Sequence, residues 1–278
     1  MTGQSAPLVD SHAHVFHRRI PFVRDAWTVP DYDFTAEDLL ATLDEHGVER
    51  AVVSGFSIAG TWNEYTLEVL RAHDRLRGTV LLSPGTPRAE IDRLAAGGVV
   101  GLRLQLARME PLPDLRSDAY RELFGHARDA GWHVQLAIEG PRLRPVLDAL
   151  GESGIDLVID HFGHPDPAGP LACDGFAAMI EAVDSGRTWV KLSGGFRLAG
   201  TAAWQDADSD LEQTAQTVAE ALLARVGTDR LLWGSDAPFV GYEKRLAYHD
   251  VLRTYRGWVP DAERRAEIDR TALKLYFA

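Results

Sequence analysis

The chain has 278 residues, a net charge of −12, 45% hydrophobic and 25% charged residues. This is an ordinary globular mixture, poorly suited to a nucleic-acid groove or an anionic membrane surface. A single cysteine, Cys173, excludes an internal disulfide and a multi-cysteine metal cluster. The opening Met1-Thr2-Gly3-Gln4-Ser5 lacks a signal-peptide pattern, and no apolar run reaches the roughly 20 residues of a membrane span, so a cytoplasmic location is expected.

In chain order, the first apolar run, residues 8–12, leads into Asp10-Ser11-His12-Ala13-His14. Side chains two apart on a strand share a face, so His12 and His14 are expected in one site, close enough to share a metal ion or a substrate oxygen. A long first loop, 17–33, carries Phe22, Trp27 and Tyr32 and is expected to cover the mouth. Thr35-Ala36-Glu37-Asp38 reads as a capped helix start, with Leu39, Leu40 and Leu43 at helical spacing and Gly47 as the stop. Strand 51–56 follows, then a helix whose cap is read as Thr61 with Glu64. Strand 79–83 precedes a helix opened by Pro87 and closed at Gly97-Gly98.

Strand 99–104 brings Arg103, Gln105 and Arg108, and is followed by helix 117–130. Strand 133–138 and helix 142–150 come next, then strand 157–161 with Asp160 and His161, and His164 just beyond. Helix 175–184 separates it from strand 189–193, which carries Lys191 and Ser193 and leads to Arg197. The stretch 196–208, with Trp204, is a second long loop over the mouth; helix 210–225 leads to strand 230–235 and Asp236. Helices 243–255 and 262–276 complete the chain.

Strict alternation of strand and helix implies a parallel sheet. Eight units in a chain near the typical ~250 residues favour a (β/α)8 TIM barrel, with long first and seventh βα loops and an extra C-terminal helix. No Gly-x-Gly-x-x-Gly follows the first strand and no linker divides the chain, so residues 1–278 are expected to form a single domain. Such barrels build their sites at the carboxyl ends of the strands, and closure makes the first and last strands neighbours. His12, His14 and Asp236 are therefore expected to converge in a hydrolytic enzyme. His17, His46, His73, His126, His133 and His249 are read as surface or helix residues, and Cys173 as an incidental thiol.

Four motifs, Asp-x-His-x-His at 10–14, Ile159-Asp160-His161-Phe162-Gly163-His164-Pro165, Val190-Lys191-Leu192-Ser193-Gly194 and Trp233-Gly234-Ser235-Asp236, resemble the amidohydrolase superfamily. The nearer similarity is to its amidohydrolase 2 branch of small lactonases, the group of 2-pyrone-4,6-dicarboxylate lactonases, over essentially the whole chain. The resemblance implies that Asp236 takes a proton from the attacking water and that His161 sits beside the reacting carbonyl. It implies that His12 and His14 are metal ligands, as in most of the superfamily, or serve a metal-free site, as in the lactonase group. Arg103, Arg108 and Arg197 fall where that group grips substrate carboxylates.

The chain departs from this pattern. Metal-using members add a strand-five histidine or a strand-four bridging group, whereas this chain offers Gln135, Ala137 and Gln105 there, which argues against a binuclear centre. Ala137 and Trp27 stand where the lactonase group has tyrosines, and His164 where it has arginine. The expected activity is hydrolysis of a small carboxylated lactone or related cyclic ester, with Asp236, His161, His12 and His14 catalytic and Arg103, Arg108, Arg197, His164, Trp27 and Gln105 binding substrate. No cofactor is expected. The alternatives are a mononuclear zinc hydrolase or decarboxylase with the ion on His12, His14 and Asp236, since three protein ligands plus water make a catalytic zinc set, a lactone isomerase, and a non-catalytic binding barrel. The expected partner is a small organic acid or lactone, not nucleic acid or membrane; a homo-oligomer is compatible with the sequence.

Overall fold

The structure is a computed structural model that describes residues 6–198 and 210–278. Eight parallel strands are hydrogen-bonded in sequence order: β1 Val9–Ala13, β2 Arg50–Val53, β3 Leu76–Val80, β4 Val99–Gln105, β5 His133–Ala137, β6 Asp156–Ile159, β7 Thr188–Ser193 and β8 Leu231–Gly234. A parallel bridge between Ala13 and Ala237 joins the last strand to the first. The amide of Asp236 donates to His12 O and that of His14 to Ala237 O, both at 2.7 Å. The result is a (β/α)8 barrel. The helices are α1 Ala36–His46, α2 Glu64–Ala72, α3 Arg88–Ala95, α4 Asp118–Asp129, α5 Leu143–Ser153, α6 Asp174–Asp184, α7 Asp210–Arg225, α8 Tyr248–Trp258 and the extra C-terminal α9 Ala262–Tyr276.

The closure has a specific latch. Asp10 is fully buried and accepts from the amides of Ser235 at 2.8 Å and His12 at 3.1 Å, and from the Tyr248 hydroxyl at 2.9 Å. One side chain thus ties β1, the end of β8 and α8 together. Gly234 is required at this seam, because a Cβ there would lie 2.5 Å from His12 Cβ and 2.8 Å from its backbone nitrogen. The register of β1 against β2 shifts between Asp10 and Ala13, which re-aims the strand tip just where the two histidines leave it.

Thr35 caps α1 as the sequence indicates, with a reciprocal bond to Asp38 and Gly47 left-handed at the end. The expected Thr61 cap of α2 is not formed. Asn63 is the cap residue, and its amide instead bonds Thr61 O and Leu81 O, tying the loop to the end of β3. Strand β3 begins three residues earlier than expected, because Leu76 and Gly78 pair with β2 although Arg77 interrupts the apolar run. The start of α8 falls at Tyr248 rather than 243.

The main core lies between sheet and helices. Val9, Val52, Val158 and Leu232 make a second cluster with Ala272 and Tyr276 of α9, whose Asp269 accepts from the Leu8 amide at 2.9 Å. The extra helix thus packs at the amino-terminal start of β1 and leaves the opposite end open. No helix among the described residues is long and apolar enough to cross a membrane.

Candidate active site

At the carboxyl end of the strands lies a cavity of about 810 Å³, lined by His14, His161, His164, Asp236 and the arginines 103, 108 and 197 together with Trp27 and Gln105. His12 is buried behind it, with its ring 5.1 Å from that of His14 and 4.6 Å from that of His161. Every residue singled out for the site therefore falls in or against one chamber. Trp204 lies outside the described residues. A smaller cavity of about 180 Å³ between β7, β8, α7 and α8 is lined by none of these groups.

The carboxylate at the centre is Asp236, two residues past β8. Its Oδ1 lies 3.6 Å from His12 Nε2 and 3.4 Å from His14 Nε2. Its Oδ2 accepts from Arg197 Nε, and Arg197 Nη1 also reaches Val240 O at 3.2 Å. Burial alone would raise this carboxyl, but Arg197, His161, His14 and His12 outweigh it and hold Asp236 well below the usual carboxylate range. It is ionised at neutral pH.

The imidazoles are held from behind. His14 Nδ1 is 2.9 Å from Ser54 O, an acceptor only, so Nδ1 carries a proton, and Nε2 faces Asp236 Oδ1 at 3.4 Å. His161 Nδ1 is 2.9 Å from Ser193 Oγ. Burial pushes His12 and His161 down to about 3, so both are neutral under ordinary conditions.

Backbone strain is concentrated here. Arg108, His161, Phe162, His164, Asp236 and Phe239 have φ between 43° and 65°, a region disfavoured for side-chain-bearing residues. Gly194, with φ 56°, lies against the His161 ring, where a Cβ would stand 2.6 Å from Nδ1.

The arginines differ in their commitments. Arg103 is buried, donating to Gly55 O at 2.6 Å with Nη2 3.6 Å from Asp160 Oδ2. Arg108 sits at the mouth, its guanidinium 5.0 Å above the Trp27 ring and its backbone amide bonded to Glu139 Oε1 at 2.8 Å. Gln105 lines the cavity, and its buried Oε1 has no hydrogen-bond partner among the described residues.

Beneath the site, Asp160, Lys191 and Gln135, named in the sequence as strand residues, form a polar layer whose mutual contacts the sequence does not show. Lys191 and Asp160 are fully buried, with Lys191 Nζ 3.3 Å from Asp160 Oδ1. Gln135 donates to both oxygens of Asp160, at 3.0 and 2.8 Å, while Thr79 donates to Gln135 Oε1 at 2.7 Å. His133, expected at the surface, is buried on β5 with its ring against Gly101 and edge-on to Tyr276. Its place at the start of an inward strand, rather than its residue type, decides that.

Two sets of donors could hold a cation, His12 with His14 and Asp236, and His12 with Asp160 and His161. The first fits one divalent ion. Buried His12 Nε2 has no hydrogen-bond partner among the described residues, and His14 Nε2 lies 3.4 Å from the same carboxylate oxygen. The second set already contains the ammonium of Lys191 against its carboxylate, which opposes another positive charge.

A barrel with histidines and a carboxylate converging at its strand ends can support hydrolysis. The chain belongs to the amidohydrolase family, whose model matches residues 9–278, and it is a hydrolytic enzyme. It is 27% identical over 266 residues to a 4-sulfomuconolactone hydrolase of Rhizobium radiobacter, covering 93% of this chain and 86% of that one. It is 28% identical over 278 residues to a 2-pyrone-4,6-dicarboxylate hydrolase of Comamonas testosteroni, covering 96% and 88%. Among solved structures, a probable 2-pyrone-4,6-dicarboxylic acid hydrolase from Acinetobacter baumannii with citric acid bound superposes with a TM-score of 0.90, at 28% identity and over 97% and 99% of the two chains.

Proposed function

We propose that this enzyme hydrolyses a small carboxylated lactone or a related cyclic ester, with the whole chain acting as one catalytic barrel. The observation that carries the reading is Asp236, ionised, gripped by Arg197 through one oxygen and facing Nε2 of two imidazoles with the other. The curated relatives reported above, both named as lactone hydrolases, support the substrate class.

Water beside Asp236 Oδ1 adds to the lactone carbonyl as its proton passes to the carboxylate. The ring C–O bond then breaks, and the proton goes to the departing ring oxygen, giving a hydroxy acid. A positioned base contributes about 10²–10⁴-fold. His161 is the neutral imidazole suited to donate to the developing oxyanion. His14, with its proton on Nδ1, accepts instead and orients the water. Arg108 and Arg197 supply guanidinium forks for a substrate carboxylate, and Trp27, His164, Gln105 and Arg103 complete the wall.

The orphaned Nε2 of His12 favours a second reading, a mononuclear enzyme in which His12, His14 and Asp236 hold one divalent cation such as zinc. The ion would lower the pKa of its water and polarise the carbonyl. The test is turnover of a panel of carboxylated lactones by the purified enzyme, with product mass and elemental analysis. Gain of one water by the product supports hydrolysis and an unchanged mass supports isomerisation. About one tightly bound ion per chain, with activity lost on chelation, favours the mononuclear reading. No turnover of any lactone overturns both.

A further inference from the structure

We propose that the substrate carries an apolar substituent, such as a phenyl ring, beside its carboxylate, and that Trp27, Met109 and Val23 form the subsite that selects it. This substrate class rests on the lactone-hydrolase reading and narrows it. Among the described residues five large apolar side chains are exposed, and three of them, Val23 at 41%, Trp27 at 42% and Met109 at 42%, line the active-site chamber. Single exposed apolar side chains are common, whereas several gathered at one concave site mark a surface that something apolar covers. The chamber itself, about 810 Å³, lies in the upper part of the roughly 300–1,000 Å³ range of pockets that hold drug-sized ligands. A lactone ring with its carboxylate fills only a fraction of it.

The apolar wall is held in place by its backbone. Arg108 has a φ of 65°, and its amide donates to Glu139 Oε1 at 2.8 Å. The amide of Met109 donates to Leu106 O at 3.0 Å and its carbonyl accepts from Arg142 Nη2, so this side chain is displayed on an anchored turn. On the first loop, the Val23 amide donates to Ile58 O at 2.8 Å and the Val23 carbonyl accepts from Ala26 at 3.1 Å. The Arg108 guanidinium lies 5.0 Å from the Trp27 ring. Charge and apolar surface therefore meet at one point, where Arg108 serves the carboxylate and Trp27 with Met109 a neighbouring group. A second copy seated on these residues would close the chamber that leads to Asp236, which favours the substrate as the occupant.

The experiment compares a carboxylated lactone with its phenyl-substituted counterpart on the purified full-length enzyme. The phenyl compound should show a kcat/KM about 10–100-fold higher, mainly through KM. Trp27→Ala and Met109→Ser should each bring the two substrates closer together. Leu171→Ser, at an exposed apolar residue outside the chamber, should keep the wild-type ratio. A ratio near one in the wild type, or a preference that survives both variants, overturns the proposal. Such survival together with a smaller particle in sedimentation would assign the patch to contact between two copies of the chain. If no lactone is turned over, the lactone-hydrolase reading falls and calorimetry tests the subsite alone. Phenylsuccinate should then bind about 10-fold or more tightly than succinate, with the difference reduced in Trp27→Ala; equal affinities overturn the proposal.

Discussion

Arg197 donates through Nε to one oxygen of Asp236, leaving the other oxygen to face His12 and His14. The guanidinium both aims the carboxylate and keeps it ionised. In Asp236→Asn the amide oxygen can still accept from Arg197, so the fold should survive while the proton acceptor is lost. The expected outcome is a fall of about 10²–10⁴-fold in kcat, with little change in KM and an almost unchanged thermal midpoint. Steady-state kinetics on the best lactone of the panel checks it.

Arg197→Lys separates charge from shape. Lysine keeps the positive charge but cannot span both Asp236 and Val240 O, which the guanidinium reaches together. A charged hydrogen bond is worth about 1.5–3 kcal/mol, so kcat/KM should fall about 10–100-fold. Retention of wild-type kcat/KM by this variant would show that only the charge matters.

The barrel and the site's principal residues were legible because both leave periodic or local marks. Eight apolar runs separated by helical spacing give the topology, and His12, His14, His161 and Asp236 each end a run. The layer below was not legible. Lys191 and Gln135 stand out in the sequence as polar strand residues, but only the inward face of a closed barrel joins them to Asp160 as a buried network, and His133 is buried on the same strand as Gln135. Asp160 was visible beside His161, but its partnership with Lys191 joins β6 to β7 and leaves no sequence spacing to read. The cap of α2 was misread because Asn63 serves the neighbouring β3 end instead of its own helix.

Gly194 tests how closely the scaffold supports His161. Its φ of 56° and the 2.6 Å approach of a Cβ to His161 Nδ1 make Gly194→Ala doubly unfavourable. The left-handed backbone alone costs about 1–2 kcal/mol, and the ring must also move off Ser193. Lower stability with a fall in kcat is expected. The control is Gly125→Ala in α4, where nothing lies within 4 Å and the backbone is helical; it should stabilise by about 1 kcal/mol with unchanged kinetics. Urea unfolding and kinetics on both variants check this, and a Gly194→Ala enzyme of full activity would free His161 from the constraint.

Acid should begin to destabilise the protein before its carboxylates titrate in the ordinary range. Burial brings His12, His133, His161 and His164 each down to about 3 in the folded chain, against an unfolded value of about 6.5. Between these values the unfolded chain binds protons that the folded chain refuses, so stability is intact above about pH 6.5 and declines as pH falls toward 3. Each histidine contributes at most about 1.4 kcal/mol per pH unit. Asp160 and Asp236, held well below the usual range, add loss in the same direction once pH drops under the ordinary carboxylate value. Asp269, raised by burial to about 6, opposes them because the folded chain gains its proton first, and Asp10 and Asp156, also raised by burial, act in the same opposing direction. The urea midpoint should therefore decline steeply below pH 6.5, and His133→Gln should reduce that slope by about one proton. A midpoint flat from neutrality to pH 5 would mean that these rings are not held neutral by burial.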